Sequence, residues 1–205
     1  MEFPIVLNRA RQIANLVFAG PHDFGFVDAW REKLGDDQNP VRNDAVDFAQ
    51  LVLDRVSTSV TQSYARSIGD IADHIANNPQ CEVACCVLLK CDWFQDSNVL
   101  GVCHFRRTWS NNIVLDYLTV HPFIARPPDQ YPNVVQGVGT ALLYFLSHVA
   151  KKYECSAIWG EATAISSGFY KKVFSLDSVE DMIYVPRDKF IEFADELEKK
   201  LAETK

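Results

Sequence analysis

The segment Gln136-Gly137-Val138-Gly139-Thr140-Ala141-Leu142-Leu143 is the most informative stretch of the sequence and lies where a loop is predicted to enter a helix. Its two glycines allow the backbone to approach a ligand closely. The first turn of a helix carries unpaired N–H groups and a partial positive charge, which together suit a phosphate or pyrophosphate group. Gln136 and Thr140 add an amide and a hydroxyl as further donors. The segment therefore predicts a phosphate-binding turn, although glycines before a helix also serve as purely structural turns.

The same segment excludes two better-known phosphate-binding motifs. The chain contains no Gly-Lys-Ser or Gly-Lys-Thr, which excludes a P-loop. The spacing Gly137-x-Gly139 lacks the third glycine of a dinucleotide-binding fingerprint, and the preceding predicted strand does not lead directly into it. A different kind of phosphate site and a structural turn are the interpretations that stay open.

Strands and helices are predicted to alternate from residue 81 onward. The nearly continuous apolar run at residues 83–89 predicts a strand that is covered on both faces. Two further strands, joined by turn-like polar segments, complete an antiparallel meander. The predicted elements of this part are strands 82–89, 99–106 and 113–120, helix 138–149, strand 156–160, helix 166–174, strand 182–185 and helix 188–202.

Residues 1–80 show helical periodicity. Apolar side chains recur at helical spacing over residues 7–18, which predicts a first helix that ends at Gly20-Pro21. Further helices are predicted over 23–34, from Asn39-Pro40 onward, and over 60–75. Residues 3–7 are an alternative opening strand, which Pro4 disfavours. We interpret the chain as a single domain with a helical N-terminal part (1–80), a core (81–185) and a C-terminal helix (186–205).

Composition and charge exclude several classes of protein. The 205 residues are 48% hydrophobic and 23% charged, which excludes collagen-like and largely disordered chains. The formal net charge of −7, without a basic block, argues against a nucleic-acid partner and favours cationic amines as substrates. The apolar stretches are too short to span a membrane. The start, Met1-Glu2-Phe3-Pro4, lacks the features of a secretory signal, so we expect a cytoplasmic location.

The six cysteines are interpreted as small apolar residues of a reduced protein. No Cys-x-x-Cys pair occurs, and Cys85 and Cys86 would point to opposite faces of a strand. We therefore expect no metal, and a zinc site stays a less favoured alternative.

Three motifs, in this order, resemble the GNAT superfamily of N-acetyltransferases over roughly residues 81–185. A strand ends with Leu118-Thr119-Val120-His121-Pro122, like the family's Leu-x-Val-x-Pro. The Gln136–Ala141 turn matches Gln/Arg-x-x-Gly-x-Gly/Ala, and Phe169-Tyr170-Lys171-Lys172 matches Phe-Tyr-x-Lys. The resemblance implies an α/β fold of the α+β type, with a mixed, mostly antiparallel central sheet flanked by helices. The helical N-terminal part would be an addition to it.

The resemblance also implies acetyl-CoA as cosubstrate. The turn would bind its pyrophosphate, backbone groups of Leu118 and Val120 would pair with its pantetheine arm, and an N–H near Thr119 or Val120 would polarise the thioester carbonyl. Tyr170 corresponds to the family's general acid. The implied cofactor-binding residues are Leu118, Thr119, Val120, Gln136, Gly137, Val138, Gly139, Thr140, Ala141 and Thr163.

The amine attacks the thioester directly, so a base must first remove a proton from the ammonium group. Asp116 and Glu161 are the carboxylate candidates, and His104 and His121 are alternatives. Asp116 has a structural alternative, an ion pair with Arg106 or Arg107. Tyr170 has one as well, a packed aromatic side chain whose hydroxyl is satisfied.

The sequence departs from the family at several positions. Thr163 stands where many members have a cofactor-binding asparagine, Ser166 replaces an alanine, and Phe174-Ser175 replaces Gly-Phe. We expect an N-acetyltransferase that takes acetyl-CoA and a primary amine on a small molecule, peptide or protein. We expect neither a nucleic-acid nor a membrane partner, and homodimers are common in the superfamily. The alternatives are a non-catalytic CoA-binding or regulatory module and a plain interaction protein.

Overall fold

The computed structural model describes residues 1–58 and 63–203, and their strands and helices alternate from residue 81 onward as predicted. The strands are β1 (Glu2–Leu7), β2 (Ala10–Phe18), β3 (Ser63–Tyr64), β4 (Val83–Lys90), β5 (Val99–Arg107), β6 (Ile113–Val120), β7 (Val135–Gln136), β8 (Ala157–Glu161) and β9 (Met182–Pro186). The helices are α1 (Phe26–Leu34), α2 (Pro40–Thr58), α3 (Ile68–Asn77), α4 (Pro122–Ala125), α5 (Val138–Lys152), α6 (Ser167–Val173) and α7 (Arg187–Ala202).

The chain divides into two compact units. The described part of the first unit is 1–58, 86–104 and 117–142, and that of the second is 63–85, 105–116 and 143–203. The strands β4, β5 and β6 and the helix α5 contribute residues to both. The single-domain interpretation with its boundaries near residues 80 and 185 stays a prediction.

The first unit begins with an antiparallel hairpin, and here the sequence prediction is wrong. Residues 7–18 were expected to be helical, but β1 pairs with β2 from Glu2↔Asn15 to Leu7↔Ala10. The turn residues Asn8 and Arg9 have φ of 48° and 70°, the left-handed conformations that a two-residue hairpin turn requires. In β2, buried Ala14 and Leu16 alternate with exposed neighbours, which is the period of a strand.

Pro4 does not prevent β1 from forming. It faces Ile13 of β2, whereas β7 pairs with β1 at Val6 and Leu7. Among the described residues, β1 therefore has a strand neighbour on one side only at Pro4, which is the edge position that proline tolerates. In this unit the strand order is β7-β1-β2-β4-β5-β6.

In the first unit, α1 ends and α2 begins where the sequence predicted, whereas α1 begins at Phe26 rather than at residue 23. Gly35, with φ of 53°, follows α1, and its N–H donates to the carbonyl of Arg31. The side chain of Asn39 accepts hydrogen bonds from the N–H groups of Val41 and Arg42 and so caps α2.

The second unit has the strand order β4-β5-β6-β8-β9, with β3 beside β4. The pairings β3–β4 and β6–β8 are parallel, and β8–β9 is antiparallel. The helix predicted over 60–75 is wrong at its start, because Tyr64 lies in β3 and Ser67 caps α3 by accepting from the N–H of Asp70. Val60 lies outside the described residues.

The meander of β4, β5 and β6 is confirmed, because these strands are neighbours joined by short connections that only antiparallel strands permit. The mixed, mostly antiparallel sheet is confirmed with it. The short helix α4, inside the proline-rich loop 122–133, was not predicted.

Candidate functional site

The glycine turn, defined as Gln136–Ala141, joins β7 to α5 in the first unit. Gln136 pairs with Val6 across the sheet, and Gly137 follows with φ of 96°, a conformation that favours glycine. The carbonyl of Gly137 accepts from the N–H of Ala141 at 2.9 Å, the first hydrogen bond of the helix. Gly137 is exposed and has no side chain with which to cap the first turn. The loop thus enters α5 at this turn, as the sequence predicted, and the use of the turn as a phosphate site stays a prediction.

Gly101 of β5 brings two of the predicted segments together, and the sequence analysis overlooked it. A Cβ at Gly101 would lie 2.9 Å from the carbonyl oxygen of Thr119, 3.0 Å from Cγ1 of Val138 and 3.1 Å from Cδ1 of Leu142. Only glycine therefore lets the first turn of α5 pack this closely against β5 beside the end of β6. The signal in the sequence was a single glycine inside an apolar strand.

The end of β6 offers backbone groups. The side chain of Thr119 is buried and donates to the carbonyl of Ala45 in α2 at 3.0 Å. On the β5 side, the N–H of His121 donates to the carbonyl of Leu100 at 2.8 Å. Because the Thr119 hydroxyl is occupied, any ligand at Leu118–Val120 would meet main-chain groups, apart from the half-buried side chains of Leu118 and Val120.

The parallel register of β6 and β8 is short. It covers Ile113↔Ile158 to Leu115↔Gly160, and β6 continues to Val120. At its last pair the strands approach very closely, since a Cβ at Gly160 would lie 2.6 Å from the carbonyl oxygen of Leu115.

Asp116, the first residue of β6 after this register, is held by an arginine. Nε of Arg106 lies 2.8 Å from Oδ2 of Asp116, and a terminal nitrogen lies 2.9 Å from Oδ1, so the contact is bidentate. Arg106 also donates to Glu82 at 3.0 Å. Hydrogen bonding to Asp116 is the main cause that raises the pKa of Arg106. Arg107 instead binds Asn111 and the carbonyls of Pro79 and Cys81. The ion pair that was the structural alternative for Asp116 is therefore formed with Arg106.

Glu161 and Tyr170 also belong to the second unit. Glu161 ends β8 opposite Met182 of β9, and its exposed carboxylate makes no ion pair with the described residues. Tyr170 lies in α6 and is 5% exposed, with its ring centroid 5.3 Å from that of Phe169. The two side chains therefore differ in environment, because the carboxylate of Glu161 is exposed and Tyr170 is buried.

Thr163 and Ser166, two of the departures from the family, bind each other. Oγ of Ser166 accepts from the N–H of Thr163 at 2.9 Å, and Oγ1 of Thr163 accepts from the N–H of Ser166 at 3.2 Å. The two hydroxyl oxygens are 3.1 Å apart. This reciprocal pair closes the turn before α6, so the side chain of Thr163 is engaged locally.

The alternative bases His104 and His121 are both fully buried. Nδ1 of His121 accepts from the N–H of Phe123 at 3.2 Å, whereas its Nε2 has no partner among the described residues. Trp30, Phe94 and Phe123 surround it at centroid distances of 5.1–5.5 Å. Burial lowers the pKa of His121 to about 4, so the ring is neutral at neutral pH. It therefore acts as a fixed part of the turn after β6.

The proline-rich loop after β6 is tied to the N-terminal helices. Nε of Arg42 in α2 donates to the carbonyl of Arg126 at 2.8 Å. The hydroxyl of Tyr131 donates to Asp96, which also pairs with Lys33 of α1 at 2.6 Å. The predicted extra helices thus hold the loop that leads from β6 to the glycine turn.

All six cysteines are free thiols. Burial raises the pKa of Cys155 to about 11 and that of Cys86 well above its usual range, so neither is a ready nucleophile. Among the described residues, no three His, Cys, Asp or Glu side chains are grouped to hold a metal ion. None of the described helices combines the length and apolar character needed to cross a membrane.

No family model and no curated protein matches the chain. Among solved structures, it is similar to a tandem GNAT protein from the clavulanic acid biosynthesis pathway, with 14% identity and a TM-score of 0.39. That match covers 73% of this chain and 36% of the other, so the chain spans about a third of that protein's length. The match to nourseothricin acetyltransferase has 14% identity and a TM-score of 0.36, and covers 50% of this chain and 66% of the other.

The chain is also similar to PaiA N-acetyltransferase from Thermoplasma acidophilum, whose structure contains coenzyme A. The identity is 12% and the TM-score 0.45, and the match covers 83% of this chain and 96% of the other. Each of these three proteins is named as a GNAT protein or an acetyltransferase.

Proposed function

We propose that this chain is an N-acetyltransferase that transfers the acetyl group of acetyl-CoA to a primary amine. The packing at Gly101 is the observation that carries the proposal. It places the first turn of α5 beside the end of β6, and these are the two segments that would bind the pyrophosphate and the pantetheine arm. The motifs that suggested acetyl-CoA are separated in sequence, and this contact supports the proposal that they bind the same cofactor.

Backbone groups would bind most of the cofactor. The turn at the exposed Gly137 and the half-buried Gly139 would direct its N–H groups to the pyrophosphate, and Gln136 and Thr140 would add side-chain donors. Leu118 and Val120 would pair with the pantetheine amides as an added strand. The N–H of Thr119 or Val120 would donate to the thioester carbonyl, where negative charge develops in the transition state.

The reaction then needs one base and one acid. The neutral amine attacks the thioester carbon, a C–N bond forms, and the C–S bond breaks as the tetrahedral intermediate collapses. We propose that Glu161 receives the amine proton, directly or through water, and that Tyr170 donates a proton to the departing thiolate. The products are the acetylated amine and CoA in its thiol form.

Asp116 and Thr163 are proposed in structural roles. The guanidinium of Arg106 already binds both carboxylate oxygens of Asp116, the atoms that a base would use to accept the amine proton. The reciprocal bonds between Thr163 and Ser166 satisfy the threonine hydroxyl without a ligand. We propose that Asp116 maintains the position of Arg106 and that Thr163 shapes the turn before α6.

A non-catalytic CoA-binding module is the second candidate function. The closed Thr163–Ser166 turn favours it, because that turn replaces a side chain that binds cofactor in many family members. Such a module would bind CoA through the same glycine turn and release no thiol.

Calorimetric titration with acetyl-CoA and CoA tests the binding. We expect saturable binding with a Kd of about 1–100 μM, a common range for substrates. A screen of primary amines that follows thiol release then separates the two candidates, because only the enzyme produces free CoA. No binding at millimolar ligand would overturn both. The amine, the homodimer and the cytoplasmic location stay predictions.

A further inference from the structure

We infer that the β1–β2 hairpin carries a subsite for the 3′-phosphate and adenine of CoA, with Arg9 as its main cation. This inference rests on the proposed function, because it concerns the same cosubstrate. The subsite is a surface cavity of about 440 Å³ in the first unit. Its lining residues are Val6, Asn8, Arg9, Val134 and Gln136.

The cavity adjoins the glycine turn. Gln136, the first residue of that turn, is directly opposite Val6 in the pairing of β7 with β1. Val6 is in turn opposite Arg11 of β2, so Arg11, Val6 and Gln136 form one row across three strands. Residues in such a row share a face of the sheet, and all three are exposed. A ligand whose pyrophosphate lies at the turn would therefore have this row beside it.

The row and the cavity lining together offer the two kinds of surface that a phosphorylated nucleoside needs. Val6 and Val134 are 37% and 45% exposed and provide an apolar shelf on which a purine can pack. Arg9 and Arg11 are exposed guanidinium groups that make no ion pair with the described residues. In a chain with a formal net charge of −7, two unpaired arginines beside a predicted pyrophosphate turn favour an anionic ligand. A guanidinium binds phosphate oxygens in a bidentate manner.

Arg9 is held in an unusual backbone conformation. Its φ is 70°, in the region where glycine is the favoured residue of a two-residue hairpin turn. The preceding Asn8 fixes the turn: its N–H donates to the carbonyl of Val134 at 3.0 Å, and its Oδ1 accepts from the N–H of Val134 at 2.8 Å. An arginine at this position is unfavourable for the turn itself, so its presence is better explained by what the side chain binds.

Because glycine is favoured in this conformation, one variant can test ligand binding without destabilising the hairpin. Arg9→Gly removes the guanidinium and relieves the backbone, so the hairpin should keep or gain stability. Arg66, another exposed arginine, lies in the second unit before α3, and Arg66→Gly is the matched control. Calorimetry on the full chain would use CoA, 3′-dephospho-CoA, adenosine 3′,5′-bisphosphate and inorganic phosphate.

We expect the unmodified protein to bind CoA about tenfold more tightly than dephospho-CoA, since a charge-assisted hydrogen bond contributes this much or more. Arg9→Gly should remove that preference, leave the affinity for dephospho-CoA within about twofold, and keep the melting temperature. Arg66→Gly should change neither affinity. Adenosine 3′,5′-bisphosphate should compete with CoA, whereas inorganic phosphate at the same concentration should not.

Three results would overturn the subsite. They are equal affinity for CoA and dephospho-CoA in the unmodified protein, an Arg9→Gly variant that keeps the preference, and competition by inorganic phosphate as effective as that by the bisphosphate. In each of these cases CoA still binds, so the proposed function stands. If the unmodified protein binds neither CoA nor dephospho-CoA, the proposed function fails and the subsite fails with it.

Discussion

The glycine turn and the turn at Thr163–Ser166 are both loops that enter a helix, yet they treat the helix terminus in opposite ways. At Gly137 the backbone is exposed, has φ of 96° and carries no side chain that could cap α5. At Thr163 and Ser166 two hydroxyls bind the neighbouring N–H groups and each other before α6. The first turn has no side chain at its cap position that accepts from the N–H groups, whereas the hydroxyls of the second turn bind the N–H groups of that turn.

This difference shows why position in a motif is an incomplete guide to function. The glycine turn matches one motif of the family resemblance, and Thr163 stands where many members of that family have a cofactor-binding asparagine, so both were predicted to contact the cofactor. The side-chain chemistry of each turn separates them, because glycine provides no internal acceptor and a threonine–serine pair provides two. The following variants and pH changes test this difference between the two turns, in order of decreasing expected effect.

Closing the glycine turn should abolish cofactor binding. In Gly139→Glu a carboxylate would occupy the phosphate position and repel it, so we expect the affinity for CoA to fall by about a thousandfold. Calorimetry measures this loss. Gly69→Glu is the control, since the atom nearest to a Cβ there is Oγ of Ser67 at 3.4 Å. Unchanged binding by Gly139→Glu would remove the glycine turn from the proposed site.

Acid should weaken the fold around the loop that leads to the glycine turn, whereas the turn at Thr163–Ser166 contains no titratable side chain. The pKa of His121 is lowered to about 4 by burial, so between pH 6.5 and 4 the unfolded chain binds the extra proton. The free energy of unfolding should therefore fall by up to about 3 kcal/mol as the pH drops through this range.

Urea unfolding at several pH values measures that slope. His121→Gln keeps an acceptor for the N–H of Phe123 but does not titrate, so its slope should be smaller. His148→Gln is the control, because His148 is half-buried and lies 3.3 Å from Glu198. A His121→Gln slope equal to that of the unmodified protein would contradict the assignment.

Tyr170→Phe tests the motif Phe169–Lys172, which follows the second turn. Loss of a general acid should reduce turnover by about a hundredfold, and the Kd for acetyl-CoA should stay within about twofold. Tyr184→Phe is the control, because Tyr184 is 63% exposed on β9. Turnover that survives Tyr170→Phe unchanged would leave Tyr170 as a packed core residue.

The two candidate bases Asp116 and Glu161 should differ in role, one being structural and the other catalytic. Asp116→Asn should lower the free energy of unfolding by about 2 kcal/mol, because it breaks a largely buried bidentate contact with Arg106. Glu161→Gln should leave stability unchanged and reduce turnover, with the loss measured across a pH profile. A stable but inactive Asp116→Asn variant would reverse the two roles.

Opening the second turn should have the smallest effect. Ser166→Ala removes the acceptor for the N–H of Thr163, and we expect a loss of about 1 kcal/mol of stability with no change in affinity for CoA. Ser156→Ala is the control, since Ser156 is exposed and its hydroxyl makes no hydrogen bond with the described residues. Weaker CoA binding by Ser166→Ala would show that this turn contributes to the cofactor site after all.

The later strands and helices were largely predictable from sequence, whereas the N-terminal hairpin was not. The buried run of β4 and the amphipathic pattern of α5 are strong local signals. In β2 the apolar residues at 10, 14, 17 and 18 also fit helical spacing, and the pattern alone could not separate the two periods. The hairpin turn is formed by Asn8 and Arg9 in left-handed conformations. The sequence has no glycine there, the residue that usually indicates such a turn.

The glycine turn, the strand β6 and the end of α1 at Gly35 were predictable from the sequence, because they depend on backbone sterics and on neighbouring residues. The packing of separate strands and helices established that Gly101 joins β6 to α5 and that Arg106 rather than Arg107 binds Asp116. Strand neighbours and side-chain partners arise when distant segments pack together, and one sequence does not encode that choice in any local pattern.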